Sequence, residues 1–162
     1  MSAHPYRKSQ SASSPRLFRI EAYDVAHISG TNTVGVMTVV ENSEVNKNEY
    51  RKFKINESVQ NDVAGLGEML RRRLNHEEWK FPNIIVVDGS TAQKNIAEKT
   101  LKQYGVGDII VVAVTKDARH RPKMITGRED IVHKYERDIL LANSEAHRFA
   151  IKYHREKRGK LV

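Results

Sequence analysis

The apolar positions fall first into short alternating runs and then into longer helical ones. Residues 17–24 alternate as a strand, with Ile20 and Ala22 on the face of Asp24 while Glu21 and Tyr23 point the other way. Residues 33–41 form a second strand, apolar on both sides, and residues 50–55 a third, more exposed one. From Ser58 the period lengthens. Val59, Val63, Leu66, Met69, Leu70 and Leu74 recur at helical spacing, and Arg71, Arg72 and Arg73 close that helix where cations suit its dipole. The four β-branched residues Ile84, Ile85, Val86 and Val87 then mark a strand buried on both faces, with Pro82 just outside and Asp88-Gly89 at its end. A helix over residues 91–104 buries Ile96, Ala97, Thr100, Leu101 and Tyr104. Residues 108–114 make a second buried parallel strand, followed by a charged loop over 116–123. From about Ile131 a long helix, bent at some point, runs through Leu140, Ala146 and Ala150 into a basic tail. Residues 1–15 carry little to bury and are expected to be disordered, leaving residues 16–162 as one domain.

This order predicts a topology. Short connections make the first three strands antiparallel, and helical crossovers make the later ones parallel. The expected fold is therefore α/β, a mixed five-stranded sheet flanked by helices, which is the ribonuclease H-like arrangement. In it the first strand is central and the fourth lies beside it, so Asp24 and Asp88 stand side by side at the carboxyl ends where α/β sheets bind ligands. A buried strand-borne acid is costly without a partner, so Asp24 calls for an explanation that Glu21 does not. Two adjacent carboxylates repel, and a divalent cation between them is the simplest remedy. Hard oxygen ligands favour Mg2+ or Mn2+, either of which can polarise a phosphodiester and help generate hydroxide. A third member is expected from the last helix, where Glu145 and His147, two residues apart, do not share a face. The plainer readings are that Asp88 caps a helix or makes a turn, and that His147 bonds a neighbouring backbone group.

Charge and composition narrow the partners. The formal net charge is +8, which points to nucleic acid or another anionic surface. The excess is concentrated over residues 148–160, where Arg148, Lys152, Arg155, Lys157, Arg158 and Lys160 face the single acid Glu156. Lys116, at the end of the fifth strand, is placed to meet a phosphate. Arg121, Arg148, Lys152 and Arg155 are the other expected backbone contacts, with His120 and His154 beside them. Glu145 is expected to pair with Arg148, His27 to hold its turn, and Trp79 to pack rather than stack on a base. With no cysteine, any metal must use oxygen or imidazole ligands, and the composition fits a cytoplasmic protein. No apolar run approaches the roughly 18 residues of a membrane span, and the N-terminus lacks a signal peptide's apolar core.

Four runs carry a family likeness. Ile20 to Gly30, Ile84 to Gln93, Lys116 to Pro122, and above all Glu145 to Arg155 resemble the C-terminal endonuclease domain of the UvrC (excinuclease C) family, in the right order over nearly all of residues 17–160. The resemblance implies a ribonuclease H-like fold whose Asp-Asp-His triad incises 5′ of a DNA lesion in nucleotide excision repair. Residue by residue, that triad is Asp24, Asp88 and His147, all three expected at the metal, with the neutral His147 imidazole either ligating the ion or shuttling a proton. The implied partners are damaged double-stranded DNA and, through the full-length protein, excinuclease B and other repair proteins. Two features depart from the family. After the second Asp the chain reads Gly89-Ser90-Thr91-Ala92-Gln93, keeping the Gln but not the second glycine or the Lys-Gly pair, and Ser144 replaces the acid before Glu145. The family's other domains have no counterpart here, so an excised domain or a short homologue is expected. The competing expectations are a catalytically silent DNA- or protein-binding module and an endonuclease V-like repair nuclease; the run Glu145 to Ala150 argues against the latter.

Overall fold

The computed structural model describes residues 17–27, 33–56, 61–119 and 121–160. The expected disordered segment over 1–15, the beginning of the first expected helix at Ser58 and Val59, and His120 lie outside the described residues. The elements are β1 (Arg19–His27), β2 (Thr33–Glu41), the two-residue β3 (Glu44–Val45), β4 (Arg51–Ile55), α1 (Asp62–Leu74), β5 (Ile84–Asp88), α2 (Thr91–Gln103), β6 (Ile110–Lys116), β7 (Pro122–Thr126) and α3 (Glu129–Lys160). The strand order is β3-β2-β1-β5-β6-β7, with β4 also paired to β2. β1 and β2 are antiparallel, whereas β1, β5 and β6 run parallel. The mixed α/β sheet with β1 next to β5 is the one the strand order predicts.

Two edge strands go beyond the expected five. β3 is too short to leave a periodic signal. The expected charged loop over 116–123 is in part a hairpin: Lys116 closes β6, and Pro122 opens β7, which returns antiparallel to it with Lys116 opposite Pro122. A proline is tolerated at the first residue of an edge strand. Met124 is exposed there, so β7 has almost no apolar alternation to read.

Helices cover both faces of the sheet. α1 and α2 pack Leu66, Met69, Leu70, Ala97 and Leu101 onto Tyr23, Met37, Val39, Ile85 and Val87. α3 covers Ile20, Ala22, Val36, Ile84, Val86, Val112 and Val114 on the other side. Ala142, Ala146 and Ala150, four residues apart, present small side chains to the sheet, and Thr38 Oγ1 donates to the Ala142 carbonyl at 3.0 Å. The bend expected in this helix is at Tyr135 (φ −116°, ψ 17°), whose ring stacks on Phe18. Trp79 packs as expected, stacked on His76 and edge-on to Phe53.

Double coverage overturns one expectation. Glu21 points away from Asp24, as its parity requires, but that direction is also core and Glu21 is 0% exposed. Arg73 donates to it twice, at 2.9 and 2.8 Å, and Arg19 once, at 2.8 Å, while the Tyr23 hydroxyl adds a further bond. Burial alone would push the Glu21 carboxyl up, yet Arg73 and then Arg19 hold it below its ordinary range. Arg73 is thus an ion-pair partner buried under the sheet, not merely a cation placed for the helix dipole. Two arginines from different elements meet one acid, and nothing in the local sequence announces it.

Candidate active site

Strand parity brings the site together. Asp24 follows Ile20 and Ala22, Asp88 follows Ile84 and Val86, and Lys116 follows Val112 and Val114, so all three point to the α3 face. The register pairs Tyr23 with Val87 and Asp88 with Val114, which puts the two acids at the adjoining carboxyl ends of β1 and β5. His147, one position after the buried Ala146, approaches from α3. Its Nδ1 lies 3.6 Å from Asp24 Oδ2 and 3.3 Å from Lys116 Nζ. Of the residues read from the sequence, Asp24, Asp88, His147 and Lys116 are brought together.

The electrostatics are unbalanced. Lys116 Nζ stands 2.9 Å from Asp88 Oδ1, close enough for an ion pair, but without the direction of a hydrogen bond. Asp88 Oδ1 is buried and has no hydrogen-bond partner. Burial first, and then the charge of Asp24, raises the Asp88 carboxyl above its ordinary range against the opposing pull of Lys116 and His147. A cavity of about 90 Å³ opens beside the pair, with Asp24, Asp88, Asp62 and Gln93 in its wall. Two carboxylates with a buried, unbonded oxygen suit a hard divalent cation such as Mg2+ or Mn2+. Among the described residues no three His, Cys, Asp or Glu groups converge as a ready-made metal cluster.

The loop after Asp88 is tightly built despite its departure from the family pattern. Gly89 has φ +136°, and a Cβ there would lie 2.8 Å from Gln93 Cδ. Its N–H donates to the Val114 carbonyl at 3.0 Å, and Gln93 Oε1 accepts from the Ser90 N–H at 3.0 Å. Gln93, the residue retained from the family run, therefore braces the turn that delivers Asp88.

The remaining expectations divide. His27 contacts side chains of other elements, with Nε2 2.6 Å from Asp62 Oδ1 and Nδ1 3.2 Å from Thr33 Oγ1, tying β1 to α1 and β2; the turn it is expected to hold through backbone hydrogen bonds lies outside the described residues. Glu145 pairs with Arg148 as expected, at 2.8 and 2.7 Å, and also accepts from the Tyr50 hydroxyl at 2.7 Å. That anchoring occupies the Arg148 guanidinium, and Arg121 is likewise paired, with Asp117 at 3.1 Å. Lys152 is exposed. The side chains of His154 and Arg155 lie outside the described residues. Tyr50 was not legible from the sequence, since only tertiary packing shows it reaching α3.

Residues 10–156 match the model of the UvrC RNAse H endonuclease domain. The chain belongs to this family. It is 37% identical over 155 residues to the UvrABC system protein C of Chlamydia caviae, covering 88% of this chain and 26% of that protein. With the Clostridium kluyveri UvrABC system protein C it shares 38% identity over 168 residues, 89% of this chain and 27% of the relative. The chain thus spans about a quarter of the length of the curated relatives it matches. Among solved structures, Ciona intestinalis endonuclease V in complex with an inosine-containing DNA is similar over 80% of this chain and 58% of that chain, at 13% identity and TM-score 0.47. Human ENDOV is similar at 17% identity and TM-score 0.43, over 83% of this chain and 58% of that chain.

Proposed function

We propose that this member of the UvrC endonuclease-domain family is a metal-dependent endodeoxyribonuclease that makes the 5′ incision of nucleotide excision repair by phosphodiester hydrolysis. Its substrate is damaged double-stranded DNA, cut in the cytoplasm alongside excinuclease B and other repair proteins. The observation that carries this reading is the Asp24–Asp88 pair, with Asp88 Oδ1 buried and lacking a hydrogen bond while Lys116 is its neighbouring cation. A Mg2+ or Mn2+ ion bound by Asp24 and Asp88 would polarise the phosphodiester and acidify a water. Lys116, released from Asp88, pairs with a phosphate oxygen of the strand being cut. His147 is 41% exposed and faces Asp24 and Lys116, which suits it to carry a proton between the reaction centre and solvent. Strand ends set the positions of Asp24, Asp88 and Lys116, and the alanines beneath α3 set that of His147, so the constellation stands on rigid elements.

The test incubates the chain with supercoiled plasmid, with and without manganese, beside the Asp24→Ala and His147→Ala variants. The expected result is manganese-dependent nicking that falls to background in both. Nicking that survives in Asp24→Ala, or that ignores manganese, overturns the reading.

A further inference from the structure

Two of the basic groups expected to hold DNA are committed elsewhere, Arg148 with Glu145 and Arg121 with Asp117, and Lys116 belongs to the cutting site itself. On β4, by contrast, Lys52 and Lys54 are exposed, and among the described residues neither has an acidic partner. Lys52 is nonetheless held in place. Its ammonium lies 4.3 Å from the Tyr153 ring centroid and 5.4 Å from that of Phe149, a position that keeps its charge while restricting its motion.

The sheet register relates this cation to the acids. Asp24 lies opposite Val36, and Val36 opposite Lys52, so Lys52 stands two strands from Asp24 in the same row, about 10 Å away along the sheet. Lys54, two residues on, shares the face of Lys52 in the row of Val34 and Ala26, toward the carboxyl end of β1. α3 runs over the buried Val36 between them. His147 is on its acid-facing flank, and Glu145, Phe149 and Tyr153, four residues apart, line the β4 flank through Tyr50 and Lys52. The ridge between carries the exposed Ile151 and Lys152. The surface is a helix about 10 Å across with phosphate chemistry on one side and the two β4 lysines on the other, and a major groove is about 12 Å wide.

We infer that Lys52 and Lys54 form a second phosphate-backbone site, which holds the uncut strand of a duplex straddling α3. This rests on the nuclease reading for the assignment of the cut strand to the acid-bearing flank. The site adds affinity without reading sequence, since lysine contacts phosphate as a point charge. It also sets which strand faces Asp24 and Asp88.

Binding is the decisive readout, because it can be measured in chelator and so does not depend on nicking. Anisotropy titrations over a salt series would compare the unaltered chain with a Lys52→Gln/Lys54→Gln variant on duplex and on single-stranded oligonucleotides. A Lys99→Gln/Lys102→Gln variant, carrying the same charge change on α2 across the sheet, is the control. The inference predicts roughly tenfold weaker duplex binding for the β4 variant and a salt slope smaller by about 1.8, two phosphates' worth. Single-strand binding stays within about twofold, and the α2 variant binds duplex like the unaltered chain. Equal losses in both variants, equal losses on duplex and single strand, or no loss in the β4 variant overturns the inference. Loss of nicking with this pattern intact would instead count against the nuclease reading alone.

Discussion

β1 carries two acids three residues apart, and the fold treats them in opposite ways. Glu21 faces α1, is wholly buried, and is enclosed by Arg73, Arg19 and the Tyr23 hydroxyl. Asp24 faces α3 beside Asp88, where two carboxylates share the ammonium of Lys116 and the ring of His147, and where Asp88 Oδ1 lacks a hydrogen bond. The pKa directions follow. Glu21 is held down despite its burial, whereas Asp88 is pushed up by burial and by Asp24. A structural ion pair is complete within the protein. The other cluster is short of positive charge, a deficit that the proposed cation would make good.

The largest expected effect breaks the complete side of this comparison. Glu21→Gln leaves Arg73 buried without an anion, while Arg19 keeps Glu41 and Glu49, and unfolding in urea should show a loss of about 3–5 kcal/mol. On melting, that is roughly 10 °C for a chain of this size. A loss under about 1 kcal/mol would mean the Glu21 cluster is no better satisfied than the acid pair.

Asp88→Asn should do the reverse and raise Tm in the absence of metal. The sign follows from the raised carboxyl: its contribution to stability is present below the unfolded-state value and is lost as pH rises through the folded-state one. The advantage of the variant should therefore grow as pH rises from the ordinary carboxylate range through the raised folded-state value. Glu21, held low, contributes in the opposite sense, with stability present above the unfolded-state value and lost as acid is added. Thermal melts across that range separate the two.

Smaller effects sharpen the boundary. Lys116→Met removes the nearest cation from Asp88, and we expect a loss of about 1 kcal/mol at neutral pH that vanishes when Asp88 is also Asn, read as a double-mutant cycle. Tyr50→Phe removes one bond to Glu145 and should cost about 1 kcal/mol, with no change in the response to metal.

Much of the acid site was legible because it is written in strand parity. Ile20-Ala22-Asp24 and Ile84-Val86-Asp88 each end an apolar face on a carboxylate, and the strand order alone places those ends together. His147 emerged from the family run, since its own helix gives no reason to prefer it to Glu145. The Glu21–Arg73 pair was hidden because both residues have ordinary local explanations, an outward strand position and a helix C-terminus, and only the packing of α1 under β1 joins them. The pairing of Arg148 and Arg121 with acids lowered the value of a simple count of basic residues. Lys52 gained significance only from register, through Val36 to Asp24.

The most direct test of the central claim is the change in Tm on adding manganese, measured for the unaltered chain and for Asp88→Asn. It needs neither DNA nor any partner. If Asp24 and Asp88 hold the ion, manganese at about a hundred times its dissociation constant stabilises the unaltered chain by about 2.7 kcal/mol, several degrees in Tm. The variant, already more stable without metal, should gain little. Equal shifts in both proteins, or none in the unaltered chain, would contradict the account.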